Sequence, residues 1–205
     1  MRNRAIIALD TLRKITHNMP CTMMSSIIDT YGKNPFLILI SCILSLRSRD
    51  AKTLSVCVDL FAKAITPEEL LALPPSQLES ILYPIGFYKQ KTQTLRHVSA
   101  ELIKRFNGKV PQTEEDLLSI KGVGRKTSAL VLSSAFDIPA ICVDVHVHRI
   151  ANLLGIVHTM TPHQTEMELM RLLPKKYWHE CNSLFVMFGQ NVKPKDIVSI
   201  FNQNK

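Results

Sequence analysis

Two residues of this chain, Lys126 and Asp144, have side chains that could act together in covalent catalysis. Lys126 follows the segment Gly122-Val123-Gly124-Arg125, and Asp144 lies 18 residues further along the chain. A neutral amine can attack the sugar carbon C1′ and form a Schiff base, which divides one difficult step into two easier ones. A carboxylate can stabilise the sugar cation that develops as the glycosidic bond breaks.

The segment before Lys126 predicts how that amine is held. One short helix is expected to end before Gly122 and another to begin near Gly124, with Ile120 and Val123 anchoring the two helices together. Glycines at this spacing allow a tight turn and a close approach of the backbone to a ligand. The second helix then offers free amides and its positive dipole end to a DNA phosphate. The hairpin residues predicted to contact DNA are Lys121, Gly122, Val123, Gly124 and Arg125.

Each of these features also has a simpler interpretation. The hairpin could be an ordinary tight turn between two helices. Lys126 could only contact a phosphate, and Asp144 could only cap the helix that follows it. A nucleotide-binding P-loop does not fit, because no strand precedes the glycines and no Gly-Lys-Ser/Thr follows them. For catalysis we expect Lys126 to be partly buried at a helix N-terminus, because both conditions favour the neutral amine.

The composition favours a folded protein that binds a polyanion. The 205 residues suit one compact unit or two small lobes, and 46% of them are hydrophobic, enough for a core. The net charge of +8 suggests nucleic acid, although a merely soluble basic protein has the same charge. The longest apolar run, Phe36 to Leu46, is too short to span a bilayer. We therefore expect a soluble, cytoplasmic protein that does not bind membranes.

The cysteines do not form a metal-binding pattern. There are five, and no two lie within four residues of each other, which argues against a zinc knuckle or a clustered iron–sulfur site. An odd number of cysteines without a signal peptide indicates reduced thiols in a cytosol-like compartment. The five are Cys21, Cys42, Cys57, Cys142 and Cys181.

Helix start and stop signals recur along the whole chain. A nearly all-apolar helix is predicted from Pro35 to about Leu46, with Asn34 as its N-cap. The segment Val143 to His148 alternates like a strand but is too short to outweigh the helical pattern. The sequence therefore predicts an all-α fold. Further helices are predicted to begin near Lys89 and Tyr177. Further N-caps are predicted at Asp50, Thr66, Ser76, Thr113, Asp144 and Thr161.

Two segments together resemble the endonuclease III family of helix-hairpin-helix DNA glycosylase/lyases. They are Ile120 to Thr127 and Val143 to Arg149, and the similarity extends from the first helix to about Gly189. The resemblance implies two helical lobes with a DNA cleft between them. It implies that Lys126 is the Schiff-base lysine and Asp144 the catalytic aspartate, with His146 among the DNA-binding residues. The lobes predicted on this basis are 28–138, which contains the hairpin, and 1–27 with 139–205.

Two further loops match the family and are predicted to contact DNA. The segment Leu44 to Asp50 resembles the loop that fills the hole left by a flipped base. Many members have glutamine where this chain has Arg47, which can still hydrogen-bond to the orphaned partner base. The segment Ile85 to Lys89 resembles the wedge loop, whose Phe87 would insert into the base stack. The simpler interpretations are core packing for Phe87 and a surface charge for Arg47.

The chain departs from the family pattern at three places. Lys121 replaces the usual hairpin proline and is expected to add a phosphate contact. His148 completes a His-Val-His sequence that imitates a metal motif, but its helical geometry is poor for chelation, so we expect no metal. Family members usually end with four cysteines that hold a [4Fe–4S] cluster, and no cysteine follows Cys181. We therefore expect no cluster, and an apolar tail of Ile197, Val198, Ile200 and Phe201 in its place.

The resemblance implies a monomeric bifunctional glycosylase and AP lyase. Its partner would be double-stranded DNA that contains damaged bases or abasic sites, and its preferred lesions would be oxidised pyrimidines. Two alternatives stay open at this point. One is the same fold with a preference for another damaged base, and the other is a non-catalytic DNA-binding protein that uses the hairpin alone.

Overall fold

All regular structure in the described part of the chain is helical. The structure is a computed structural model that describes residues 2–205, with side chains described from residue 4 onward. The predicted all-α class is confirmed. The helices are α1 Arg2–Thr16, α2 Met23–Tyr31, α3 Pro35–Ser45, α4 Asp50–Phe61, α5 Pro67–Ala72, α6 Pro75–Leu82, α7 Tyr88–Phe106, α8 Glu114–Ser119, α9 Arg125–Phe136, α10 Val145–Leu153, α11 Pro162–Leu172, α12 Trp178–Asn191 and α13 Ile197–Gln203, with 3-10 turns at Lys175–Tyr177 and Pro194–Asp196.

The chain divides into two compact units. One is Met23–Phe136, and the other combines Met1–Thr22 with Asp137–Lys205. The sequence-based boundary at residue 28 would cut helix α2, whose Met23, Met24 and Ile27 are all buried. The structural boundary falls before α2 because the helix packs as a whole against α3 and α4.

The unit Met23–Phe136 is built around α3. Asn34 is the predicted N-cap, and its side chain accepts hydrogen bonds from the amides of Phe36 (3.0 Å) and Leu37 (3.2 Å). Every residue from Phe36 to Leu44 is buried. Each fully buried Leu or Ile side chain stabilises the fold by about 1.5–3 kcal/mol. Helix α3 packs against α2, α4, α7 and α9, so it supports both the hairpin and the long helix α7.

The predicted helix caps are mostly confirmed. Thr66 accepts a hydrogen bond from the amide of Glu69, and Thr113 accepts one from the amide of Asp116. Thr161 forms the reciprocal capping box with Gln164 that begins α11.

Two predicted caps are wrong. Asp50 is the first residue of α4 rather than its cap, and the capping position is held by Arg49 without a side-chain hydrogen bond. Ser76 lies inside α6, which begins at Pro75. Proline fixes φ at a helical value and lacks an amide proton, so a helix can begin at Pro75 without a side-chain cap.

The unit that contains both termini has its own core, formed by α1 and α10 to α13. Its largest buried side chains are Phe185 and Phe188 of α12. In the predicted apolar tail, Ile197 and Phe201 belong to this core and Ile200 packs against it. Val198 is the exception, since 42% of its surface is exposed. Among the described residues, no helix is both long and apolar enough to cross a membrane.

Candidate nucleic-acid interface and catalytic residues

The helix-hairpin-helix has the predicted form. Helix α8 ends at Ser119 and α9 begins at Arg125. Ile120 and Val123 are buried, and the amide of Val123 donates to the carbonyl of Ile120 at 3.0 Å. These contacts close the turn and fix the direction in which α9 starts. The prediction that Ile120 and Val123 anchor the hairpin is confirmed.

The two hairpin glycines have different physical roles. Gly122 has φ +104°, and a Cβ there would lie 2.6 Å from Cγ2 of Thr94. A side chain at Gly122 would therefore strain the backbone and collide with α7. Gly124 has no strained φ, and no atom lies within 4 Å of its ideal Cβ position. The fold thus requires glycine at 122, whereas the open space at Gly124 leaves the N-terminus of α9 accessible to a ligand.

Three cationic side chains surround this helix start. Lys121, Arg125 and Lys126 are all exposed, and the last two are the first residues of α9. Exposed cations beside free helical amides are suited to binding phosphate. The expectation that Lys126 is partly buried is wrong, because its side chain is exposed at the second position of α9.

Asp144 is the N-cap of α10. Its Oδ1 accepts hydrogen bonds from the amides of His146 at 2.9 Å and Val147 at 3.0 Å. These bonds fix the carboxylate at the helix start, so the predicted cap is confirmed. A fixed carboxylate is also what stabilisation of a sugar cation requires, so capping and catalysis are compatible roles. Lys126 belongs to the unit Met23–Phe136 and Asp144 to the other unit.

The two histidines after Asp144 have different surroundings. His146 is half-buried, and its Nδ1 is enclosed without a hydrogen-bond partner among the described side chains. His148 Nδ1 lies 2.7 Å from Oγ1 of the buried Thr165, which links α10 to α11. The imidazole of His148 is therefore held by a contact between two helices of the fold. In the described residues, no three His, Cys, Asp or Glu side chains are grouped in a way that could hold a metal.

The two predicted DNA-inserting residues share an unusual backbone conformation and touch each other. Arg47 has φ +55° and Phe87 has φ +60°. The guanidinium carbon of Arg47 lies 5.7 Å from the ring centroid of Phe87, a cation–π contact. Phe87 is 54% exposed, so core packing is the wrong interpretation of this residue. Left-handed backbone at residues other than glycine costs about 1–3 kcal/mol each and concentrates at functional sites.

Arg47, Phe87 and Gly122 line one cavity of about 370 Å³ within the unit Met23–Phe136. Three separate segments that were each predicted to contact DNA therefore meet at a single place. The other lining residues are Ile43, Leu46, Gln90, Lys91 and Thr94.

Lys91 is the residue of this site that sequence reasoning missed. Its side chain is buried, with 6% exposed, and its Nζ donates hydrogen bonds of 2.7 Å to the carbonyl of Leu44 and to Oγ of Ser48. Burial lowers the pKa of Lys91 to about 8. The sequence does indicate that Lys91 is buried, through its position on α7. Lys91 shares the buried face of this helix with Leu95, four residues later, and Val98, three residues after that.

The described residues do not fit the four-thiolate cluster implied by the family. Cys181 is fully buried in α12, and burial raises the pKa of its thiol. No cysteine follows it in this sequence, and the segment after α12 contributes Val192, Ile197 and Phe201 to the core. Aliphatic and aromatic side chains cannot ligate iron, so the donor set is wrong for the cluster.

The fold and the hairpin define a helix-hairpin-helix protein of the DNA glycosylase class. Residues 40–175 match the model of the HhH-GPD superfamily of base excision DNA repair proteins. The endonuclease III of Thermotoga maritima is 42% identical over 164 residues, which cover 80% of this chain and 77% of that protein. That of Bacillus subtilis is 36% identical, over 77% of this chain and 72% of the relative.

The structural comparison gives the same result. A non-covalent endonuclease III–DNA complex superimposes with a TM-score of 0.83 at 33% identity, covering 93% of this chain and 86% of that chain. The chain belongs to the HhH-GPD superfamily of base excision DNA repair proteins. The predictions of an endonuclease III-type glycosylase/lyase and of DNA as its partner are thereby confirmed.

Proposed function

We propose that this enzyme excises oxidised pyrimidines from duplex DNA and cleaves the strand at the resulting abasic site, with Lys126 as the nucleophile. The position of Lys126 is the observation that carries the proposal. It is an exposed lysine in the first turn of α9, two residues after the accessible Gly124. A phosphate held by the amides of that turn would bring a nucleotide of the same strand within reach of the amine.

Lys126 forms a covalent intermediate with the sugar in the proposed reaction. The neutral amine attacks C1′, the bond from C1′ to the base breaks, and the base leaves with the electron pair and acquires a proton. Loss of the amine proton and opening of the sugar ring give an imine between Lys126 and C1′. Removal of a proton from C2′ then expels the 3′ phosphate in a β-elimination. Water hydrolyses the imine and frees the lysine.

Asp144 supplies the negative charge in this scheme. Its carboxylate, held by two backbone amides, would stabilise the oxocarbenium character of C1′ and assist proton transfer. His146 follows within the same turn, and its half-buried imidazole is assigned a DNA-binding role beside Asp144.

Arg47 and Phe87 are assigned to the opened duplex. Phe87 would enter the base stack as an apolar wedge, and Arg47 would occupy the space left by the flipped nucleotide and bond to its partner base. Their contact at 5.7 Å and their exposure support a joint action. Lys121 and Arg125 would contact phosphates and contribute affinity without sequence preference.

The proposal also includes the oligomeric state, the location and the metal content of the protein. The protein acts as a monomer, in the cytoplasm and with the nucleoid if the cell is prokaryotic. It uses no metal ion. It carries no [4Fe–4S] cluster, since no cysteine follows Cys181 in this sequence and the segment after α12 contributes apolar side chains to the core.

A panel of duplexes that differ in one base tests the substrate class. Each duplex carries thymine glycol, uracil, 8-oxoguanine or an alkylated adenine, and base release is followed under single-turnover conditions. We expect thymine glycol to be released at least about tenfold faster than the other bases, the scale on which a pocket discriminates between them. Faster release of another base would contradict the oxidised-pyrimidine assignment. Lys126→Gln is the control, which should bind the duplexes without releasing any base.

A further inference from the structure

Lys91 bonds to both sides of the strained residue Arg47. Its Nζ donates to the carbonyl of Leu44, three residues before Arg47, and to Oγ of Ser48, the residue after it, both at 2.7 Å. The two bonds therefore bracket the segment in which φ becomes positive at Arg47. Both acceptors are neutral oxygens, so the bonds fix the path of the backbone rather than neutralise a charge.

Lys91 is also tied to the wedge residue. Its amide donates to the carbonyl of Phe87 at 2.9 Å in the first turn of α7. The backbone of Lys91 is thus joined to Phe87, and its side chain is joined to the turn that carries Arg47. Lys91, Phe87 and Arg47 all lie in the unit Met23–Phe136, and the three residues line the same cavity.

We propose that Lys91 is a positioning residue that sets the relative placement of Arg47 and Phe87 and thereby controls how the hole left by the flipped nucleotide is filled. The inference rests on the proposed function, because it assigns Lys91 to the duplex-opening step of that reaction. Lys91 acts through Arg47 and does not touch the reacting atoms. Its effect should therefore depend on the presence of the Arg47 side chain.

A double-mutant cycle on duplex DNA tests the inference. The variants are Lys91→Met, Arg47→Ala and the combination, measured as single-turnover strand cleavage at an abasic site. Methionine keeps an unbranched apolar stem like that of Lys91 but lacks the ammonium group and donates no hydrogen bond. Lys104→Met is the matched control, because Lys104 is an exposed lysine in the last turn of the same helix. Lys91→Arg tests whether a donor at this position restores the rate.

We expect Lys91→Met to slow duplex cleavage by about 10- to 100-fold, the scale of a misplaced positioning group. In the Arg47→Ala background the same change should alter the rate by less than about twofold, because nothing remains for Lys91 to position. Lys91→Arg should recover part of the rate, and Lys104→Met should equal the wild type. If Lys91→Met does not fold, Ser48→Ala takes its place. This change removes one of the two acceptors of Lys91 and should give a smaller loss in the same direction.

The outcomes separate this inference from the proposed function. Wild-type protein that does not cleave abasic duplex would contradict the proposed function itself. If the wild type cleaves, but the losses of Lys91→Met and Arg47→Ala multiply in the combined variant, Lys91 does not act through Arg47 and the inference is overturned. A Lys91→Met or Arg47→Ala variant as active as the wild type would also overturn it. Fluorescence of 2-aminopurine opposite the abasic site provides a second reading, which Lys91→Met should change in the same sense as Arg47→Ala.

Discussion

Gly189 of α12 packs directly against the imidazole of His146. A Cβ at Gly189 would lie 2.3 Å from Nδ1 of His146 and 2.8 Å from Cδ1 of Ile150. The absence of a side chain at Gly189 is therefore what allows His146 to occupy its half-buried position next to Asp144, the N-cap of α10. The contact connects the packing of α12 to the proposed catalytic end of α10.

Gly189→Ala should displace His146 and weaken the site. Overpacking in a filled region costs about 1–3 kcal/mol of folding stability, and the imidazole is the group that must move. We expect a lower melting temperature and slower base release, with DNA binding through the hairpin largely kept. Asn191→Ala, an exposed position two residues further on the same helix, is the control. Unchanged melting and unchanged base release in Gly189→Ala would contradict this account of His146.

The two hairpin glycines should respond differently to alanine. Gly122→Ala meets a strained φ and the side chain of Thr94, so it should lower the melting temperature and weaken DNA binding. Gly124→Ala meets neither obstacle, so the free protein should melt like the wild type. Its methyl group should nevertheless weaken DNA binding if the backbone approaches a phosphate there. Thermal melting and fluorescence anisotropy separate these effects, and equal behaviour of the two variants would contradict the distinction.

Neither change should alter which lesion is chosen. Phosphate contacts hold the duplex without reading bases, so both glycine variants should keep the order of preference among damaged duplexes. The lesion panel described above provides this measurement.

The buried amine of Lys91 should make stability depend on pH. Burial lowers its pKa from 10.5 to about 8 in the folded protein. Between these values the unfolded chain binds the proton and the folded protein does not, so folding becomes more favourable as pH rises. The free energy of unfolding of the wild type, minus that of Lys91→Met, should therefore increase from pH 7.5 to 9.5. Groups that titrate equally in both proteins cancel, and a difference that stays constant or falls would refute this effect.

Freshly purified protein should contain no iron. A bound iron–sulfur cluster gives broad absorbance near about 400 nm, and no cysteine follows Cys181 in this sequence. We expect a colourless solution and a melting temperature that does not change with an iron chelator. Stoichiometric iron by elemental analysis would contradict this expectation and show that the cysteines up to Cys181 hold a cluster in a way different from the family's.

Features that depend on residues close together in sequence could be predicted. The caps at Asn34, Thr113 and Asp144 are bonds between a side chain and an amide two or three residues later, so a short segment is enough to determine them. The hairpin was predictable for the same reason. The two wrong caps are also local. Asp50 and Ser76 are residue types that often cap helices, but α4 begins at Asp50 itself and α6 begins one residue before Ser76, at Pro75.

Features that depend on distant residues could not be predicted. The bond from Lys91 to the carbonyl of Leu44 joins positions 47 residues apart. Helical spacing shows that Lys91 is on the buried face of α7, but it does not show which oxygen accepts a hydrogen bond from the amine. The same holds for Gly189, whose role depends on His146 in another helix, and for the cavity where Arg47 and Phe87 meet.

Borohydride trapping on a duplex with one abasic site tests the central assignment most directly. Reduction converts the imine to a stable covalent adduct that is visible on a denaturing gel. The wild type should form this adduct, and Lys126→Gln should bind the duplex but form none, because an amide cannot form a Schiff base. Asp144→Asn keeps the size and the cap, and should slow base excision by roughly 100-fold or more while trapping on a preformed abasic site suffers less. An adduct formed by Lys126→Gln would show that the nucleophile lies elsewhere.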